Sequence, residues 1–376
     1  MINLKLTHLF FAKCEPIVIA CGELKRETFL VTLTHKNISG LGAGNPFKPI
    51  TGDSPSDIVR DAKKLLKIPL DPKKDSIKKL HAFLDKKNIK SMTLRSAIDA
   101  AYHDLLGKTH GVPVYKLYSS KEHSVKNSIT VYIKDSIKKT QNNAVKIYKS
   151  FPDLKVLKIK LNGQDDIKKV SAIKKVSPKN MNFVLDANQA YADPRKAVKI
   201  LTEINKILKK VILVEQPCPK KDLKSLRYIT NNLKGMMVFA DEAATNLEDV
   251  KKIVAAKAAH GVNIKIQKVG GIYPAVQLAK YCKKHGLKIM VGAMIEDTVS
   301  LTAGTHFAIS NSNLILTDLD TDIDLPKYIE GGAYIKNGKR KIHNKAQGLG
   351  ITLSNKLLAK FKADNEIITK KLLHTI

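Results

Sequence analysis

The sequence predicts an α/β protein: a (β/α)7β barrel, that is, a modified TIM barrel, carrying an α+β capping domain. Three observations point there. From about residue 150, seven short apolar runs recur, each closing on or beside a polar residue and each followed by an amphipathic stretch. The closing residues Lys160, Asp186, Glu215, Asp241 and Lys265 stand 26, 29, 26 and 24 residues apart, the length of one strand–helix turn in a parallel barrel. Before about residue 115 the pattern changes, with alternating strands and separate helices that never settle into that repeat. A chain of 376 residues suits one barrel with a smaller attached domain. The expected division is a cap over 1–115, a barrel over 116–326, and a last segment from about 327 to 376 that returns to pack on the cap.

In the cap, alternation predicts strands near 2–13 and 27–36, and apolar periodicity predicts helices near 54–67, 73–86 and 92–107. The stretch 40–52, with Gly40, Gly42, Gly44, Pro46, Pro49 and Gly52, reads as a long loop of the kind that covers sites. The barrel runs are 156–160, 183–186, 211–215, 237–241, 262–265, 287–291 and 314–318. Between them, Asp193-Pro194 predicts an N-cap and first turn, with Ala197, Val198, Leu201, Ile204 and Leu208 on one apolar face. Thr245-Asn246-Leu247-Glu248 reads as a capping box, and Gly261 as the stop of the helix that follows it.

Composition excludes some function classes. No run of 18 apolar residues exists, so no transmembrane helix is expected, and the apolar start is followed by Lys13 and Glu15 rather than by a cleavage site. Cys14, Cys21, Cys218 and Cys282 form no CxxC pair, so reduced thiols in a cytoplasm are expected. The net charge of +32 suggests nucleic acid or an anionic surface, and a basic binding protein is the non-enzyme alternative. Against it, only 6 of the 66 basic residues are arginine, the side chain favoured by phosphate and base recognition. The lysines are also spread along the whole chain, as a solvated coat would be. No nucleic-acid partner is expected, and self-association is left open.

Asp186, Glu215 and Asp241 close three consecutive strands, so their carboxylates are placed to converge on one hard cation, Mg²⁺. A single acid after a strand is usually a helix cap; three in succession without a cation would repel. Lys160 closes the strand before this set and Lys265 the strand after it. They are placed to face each other across a substrate as acid and base, with Lys158 beside Lys160 to lower its pKa. After the last strand, Asp318 and Asp320 alternate onto one side. Away from the metal, they would hold a substrate cation such as an α-ammonium group.

Lys158-Ile159-Lys160, Asp186-Ala187-Asn188-Gln189, Glu215-Gln216-Pro217, Asp241-Glu242 and Asn263-Ile264-Lys265 with Gly270-Gly271 together resemble the enolase superfamily over nearly the whole chain. Lysines on both sides resemble its muconate-lactonizing subgroup, as does Ser96-Ala97-Ile98-Asp99 followed by Asp104-Leu105-Leu106-Gly107-Lys108. Within that subgroup Asp318-Leu319-Asp320 is similar to the motif with which dipeptide epimerases grip a free ammonium group. The resemblance implies Asp186, Glu215 and Asp241 as Mg²⁺ ligands and Lys160 and Lys265 as the two acid/bases. Asn188 and Glu296 would orient the ligands and Lys265, and Met294 would lie on the substrate side. It implies 1,1-proton transfer at the C-terminal residue of a dipeptide such as L-Ala-L-Glu, with muconate cycloisomerase or o-succinylbenzoate synthase as the alternative activities. Members that read a glutamate side chain can use an arginine on the first hairpin. Here Ala20-Cys21-Gly22-Glu23 has none before Arg26, so the second residue of the dipeptide is not specified.

Overall fold

The computed structural model describes residues 1–11, 14, 17–19, 22–24, 26–118, 122–132, 136–364 and 366–368. Ala20, Cys21, Lys13 and Glu15 lie outside these residues, as do 369–376. Cap strands β1 (Ile2–Phe10), β2 (Glu27–His35) and β3 (Ile38–Gly44) pair antiparallel in the order β1-β2-β3. On their face lie α1 (Pro55–Ala62), α2 (Ile77–Lys86) and the long α3 (Met92–His110). The stretch read as a loop from residue 40 is therefore partly a strand. Its glycines are there for contact: a Cβ added at Gly40, Gly42 or Gly44 would run into the backbone of Ala101, Ala97 or Thr93 on α3. Two residues of strand and four of helix advance by nearly the same distance, so every second strand residue must be bare.

Eight parallel strands form the barrel sheet: β4 (Ile129–Val131), β5 (Val156–Lys160), β6 (Asn182–Asp186), β7 (Val211–Glu215), β8 (Met237–Ala240), β9 (Gly261–Ile264), β10 (Lys288–Gly292) and β11 (Leu314–Asp318). Seven helical crossovers join them: α4 (Ile137–Ser150), α5 (Asp166–Val176), α6 (Pro194–Leu208), α7 (Leu223–Asn232), α8 (Leu247–Ala256), the pair α9 (Ile266–Val269) and α10 (Ile272–Lys284), and α11 (Thr298–Ile309). The first of the eight strands, β4, has no counterpart among the apolar runs, because three residues are too few to show a period. The seam between β4 and β11 is drawn together by Ser128, whose amide donates to the Thr317 carbonyl at 2.8 Å, and by the Asn127 carboxamide, which accepts from the Thr317 hydroxyl at 2.7 Å. After the barrel the chain returns, and β12 (Glu366–Ile368) pairs antiparallel with β1.

The caps largely follow the side chains. Asp193 accepts from the amides of Arg195 and Lys196 with Pro194 in the first turn. Asn246, not Thr245, caps α8, because its side chain accepts from Asp249, while Thr245 instead donates to the Asp249 carboxylate. Nor does Gly261 stop that helix: Lys257 turns it in the left-handed region, and Gly261 opens β9, where a Cβ would strike the Phe239 ring.

Inside the barrel, Val156, Val184, Leu213, Phe239, Met290 and Leu316 form one buried apolar layer. Period two along a strand then puts Lys158, Asp186, Glu215, Asp241 and Asp318 one step nearer the C-terminal mouth. A dry plug thus forms the floor on which the charged residues stand. Among the described residues, no helix is long and apolar enough to cross a membrane, and Cys14, Cys218 and Cys282 are free thiols.

Candidate active site

The mouth of the barrel opens into a cleft with about 1010 Å³ of empty space, counting the part open to solvent. Lys158, Lys160, Asp241, Lys265, Asp318 and Asp320 line it from the barrel, and Phe47, Pro49 and Ile50 reach in from the cap. Asn188, Glu242 and Met294 line it as well.

Strand register brings the acids together. Asp186 lies beside both Lys160 and Glu215 in the ladder, and Glu215 lies beside Phe239, two residues before Asp241. All three carboxylates are almost fully buried. Among the described residues, however, no three acid, imidazole or thiol side chains close on one point as a ready-made metal group. The positive charges beside the three are lysines. Lys158 Nζ stands 3.0 Å from Asp186 and 2.9 Å from Glu215, and Lys160 Nζ stands 2.7 Å from Asp186. Asp241 meets Lys265 at 2.8 Å through one oxygen and Lys268 at 2.7 Å through the other.

These contacts decide the protonation of each group. Burial penalises the Asp186 charge, but Lys158 and Lys160 outweigh it and hold the carboxyl well below its ordinary range. Asp241 is likewise held down, against burial, by Lys265 and Lys268. Glu215 is pushed up to about 7, because burial and the neighbouring acids outweigh Lys158. One Glu215 oxygen accepts from the Asn263 carboxamide at 2.7 Å, while the buried Oε1 faces the Lys158 ammonium at 2.9 Å without an aligned hydrogen bond among the described residues. Burial lowers the affinity of Lys158 and Lys265 for their protons, yet the acids around them raise both above the ordinary lysine range.

Asn188 has a left-handed backbone, φ 40°, which turns its carboxamide back so that Oδ1 accepts from Lys160 at 2.8 Å and Nδ2 donates to Glu242 at 3.2 Å. Glu296 does not meet Lys265 in a hydrogen bond among those described. It accepts the Met294 amide at 3.0 Å and is pushed up to about 7 by burial. Asp318 and Asp320 sit side by side at the cleft but not apart from the three acids. Asp318 meets Lys158 at 2.6 Å, the same ammonium that touches Asp186 and Glu215. Asp320 takes the Thr130 amide at 2.6 Å, and burial with Asp318 alongside pushes it up to about 7. Asp322 and Asp324 take no part in the cleft: Arg340 binds the first with two nitrogens, and Arg26 the second.

Some site residues were not found from the sequence. Lys268, one helical turn past Lys265, donates to the Asp241 carboxylate and to the carbonyls of Asp241 and Asn263; a Lys-x-x-Lys spacing is invisible among so many lysines. Ser128 and Thr130, which donate to Asp318 at 3.1 and 3.0 Å, sit on or beside the strand too short to recognise. Gln216, fully buried, receives the amides of Asp241 and Ala243 and so ties the end of β8 to that of β7.

Residues 1–118 match the model of the mandelate racemase / muconate lactonizing enzyme N-terminal domain, and 139–357 that of the enolase C-terminal domain-like family. The chain is 29% identical over 342 residues to a hydrophobic dipeptide epimerase of Enterococcus faecalis, covering 90% of this chain and 95% of that one. It is 30% identical over 269 residues to an L-Ala-D/L-Glu epimerase of Clostridium acetobutylicum, covering 71% and 74%. Among solved structures, the Enterococcus faecalis dipeptide epimerase with Mg and L-Leu-L-Tyr superposes with a TM-score of 0.83 at 28% identity, covering 93% of this chain and 98% of that one. The substrate-liganded L-Ala-D/L-Glu epimerase of Bacillus subtilis gives 0.80 at 27%, with coverage of 93% and 98%.

Proposed function

Because the chain belongs to the mandelate racemase / muconate lactonizing enzyme family, we propose that it is a Mg²⁺-dependent dipeptide epimerase, inverting the α-carbon of the C-terminal residue by 1,1-proton transfer. The observation that carries the dipeptide is the pair Asp318 and Asp320, two nearly buried carboxylates on the cleft with a single lysine between them and the other acids. Asp320 is short of positive charge, and a free α-ammonium leaving water needs such partners. A substrate dianion, as in lactonization of muconate, would be repelled. The relatives described above, dipeptide epimerases by name, support this reading.

Asp186, Glu215 and Asp241 would hold the Mg²⁺, and their all-oxygen donor set suits a hard divalent cation. Glu215 Oε1, buried and facing the Lys158 ammonium at 2.9 Å with no aligned hydrogen bond among the described residues, fits that assignment. A bound Mg²⁺ supplies Lewis-acid stabilisation of the charge that grows on the substrate carboxylate as the α-proton leaves. Lys160, at the end of β5, and Lys265, just after β9, stand four places apart either way round the eight-stranded ring and would face the α-carbon from opposite sides. One Nζ takes the α-proton, and the other returns a proton to the opposite face. Asn188 steers Lys160, Lys268 fixes the Asp241 carboxylate against Lys265, and Lys158 ties Asp186 and Glu215 to Asp318.

The reading includes a cytoplasmic enzyme whose +32 charge is a solvated lysine coat and not a nucleic-acid surface. Sub-micromolar binding to duplex or single strands at physiological salt would reverse that part of it. The activity itself is tested by incubating the protein with Mg²⁺ and a dipeptide library in deuterium oxide. Each substrate gains one mass unit at its C-terminal α-carbon, and chelation of the metal stops the gain. No exchange with any dipeptide, alongside efficient lactonization of muconate or dehydration to o-succinylbenzoate, would end the epimerase reading.

A further inference from the structure

The cleft also bears on which dipeptide is used. When the α-proton leaves, the α-carbon becomes planar, and its carboxylate carbon, amide nitrogen and Cβ lie in one plane with Lys160 and Lys265 on its two faces. The carboxylate points toward the acids of β6, β7 and β8. The amide nitrogen points the other way, toward Asp318 and Asp320 beyond β11. The Cβ is left with the barrel axis, either down or up. Down is closed by Lys158 and Thr130 above the apolar layer of Val184, Leu213 and Phe239. The side chain must therefore rise toward the cap.

Among the described residues, what it meets there is mainly apolar, with Gln189, Lys220 and Thr321 as polar members of the lining. Phe47, Pro49 and Ile50 descend from the cap, and Met294 and Ile295 stand on the barrel rim after β10. Among the described residues no arginine lines the cleft, and Arg26, the nearest in sequence to the first hairpin, is bound through both terminal nitrogens by Asp324. Lys158, Lys160 and Lys265 are already paired with acids. Lys220, on the exposed rim after β7, is the remaining lysine of the lining among the described residues. The roof is held in place: the Asn45 amide donates to the Gln267 side chain at 2.9 Å, and the Gln267 amide group donates back to the Asn45 carbonyl. Asn45 is two residues before Phe47 and Gln267 two after Lys265, so roof and acid/base form one unit across the domain boundary.

We infer that the protein selects dipeptides whose C-terminal residue carries an apolar side chain, with Phe47, Ile50 and Ile295 as the selecting surface; this rests on the epimerase reading above. An aliphatic or aromatic side chain gains by leaving water under this roof, whereas a carboxylate there loses its hydration against Phe47, Ile50 and Ile295, with only the solvated Lys220 at the rim to face it among the described residues.

The test compares α-proton exchange in deuterium oxide, with Mg²⁺, for L-Ala-L-Leu, L-Ala-L-Phe, L-Ala-L-Glu and L-Ala-L-Lys. The kcat/KM for the Leu and Phe dipeptides is expected to exceed that for Glu by about tenfold or more. In Ile50→Lys the preference should shift toward L-Ala-L-Glu by a similar factor. Wild-type protein that turns over L-Ala-L-Glu as fast as L-Ala-L-Leu would overturn the inference and leave the epimerase reading standing, whatever the fate of the variant. An unchanged preference in folded Ile50→Lys would also count against it. No exchange from any of these or other dipeptides would remove both together.

Discussion

The Lys158 ammonium lies 2.6 Å from Asp318, and the same nitrogen stands 3.0 and 2.9 Å from Asp186 and Glu215. One buried cation therefore joins two of the three acids assigned to the metal, Asp186 and Glu215, with an acid assigned to the substrate ammonium. Replacing Lys158 by Met would leave three buried carboxylates facing one another, at a cost of about 3–5 kcal/mol in stability. Adding Asp318→Asn should recover part of that loss. Urea unfolding of the two variants checks it, and equal stability of wild type and Lys158→Met would mean that the network contributes nothing to the fold.

The two-base assignment predicts the behaviour of its lysines. Lys160→Ala and Lys265→Ala are each expected to lower epimerisation by about 10²–10⁴-fold. Each variant should still exchange the α-proton of one enantiomer, opposite for the two, because one base remains on one face. Normal turnover in both would eliminate the scheme.

The glycine face of β3 predicts a packing failure. Gly42→Ala would drive a methyl group into the Ala97 carbonyl on α3, and the strand or helix must move, at a cost of about 1–3 kcal/mol. A variant as stable as wild type in urea would show that β3 does not lie on α3 in this register.

His306 predicts an acid-sensitive contribution to stability. It is fully buried, with Nε2–H donating to the Leu349 carbonyl at 3.2 Å and Nδ1 accepting the Tyr115 amide at 3.2 Å. Burial lowers its pKa from 6.5 to about 3. The folded protein thus binds fewer protons than the unfolded chain between those values, so stability is complete above pH 6.5 and falls as the pH drops toward 3, by about 1.4 kcal/mol per unit. His306→Gln can keep both hydrogen bonds without titrating. Its stability should fall less than that of wild type between pH 6.5 and 4, and since the buried carboxylates titrate in both proteins, the difference isolates the imidazole. Parallel pH profiles would refute the assignment.

The repeat of polar residues at strand ends was legible in the sequence because parallel strands in a barrel all point the same way, so a one-dimensional spacing becomes a ring. That is why Lys160, Asp186, Glu215, Asp241 and Lys265 could be read as neighbours before any coordinates. The long periodic helices and the Asp193-Pro194 cap were legible for a similar reason, since their determinants lie within a few residues of one another.

What only the tertiary structure decided are the contacts between distant segments. Nothing local marks Gly40, Gly42 and Gly44 as a strand, since their reason is a helix that comes some 50 residues later. Nothing local pairs Lys158 with Asp318, Asn45 with Gln267, or Thr130 with Asp320, because each pairing depends on closing the barrel or docking the cap upon it. The sequence by itself determined which residues ring the barrel mouth, as the spacing of strand ends is written along the chain. Which of them share a cation, and which surface faces the substrate's side chain, are set by distances between segments far apart in the chain.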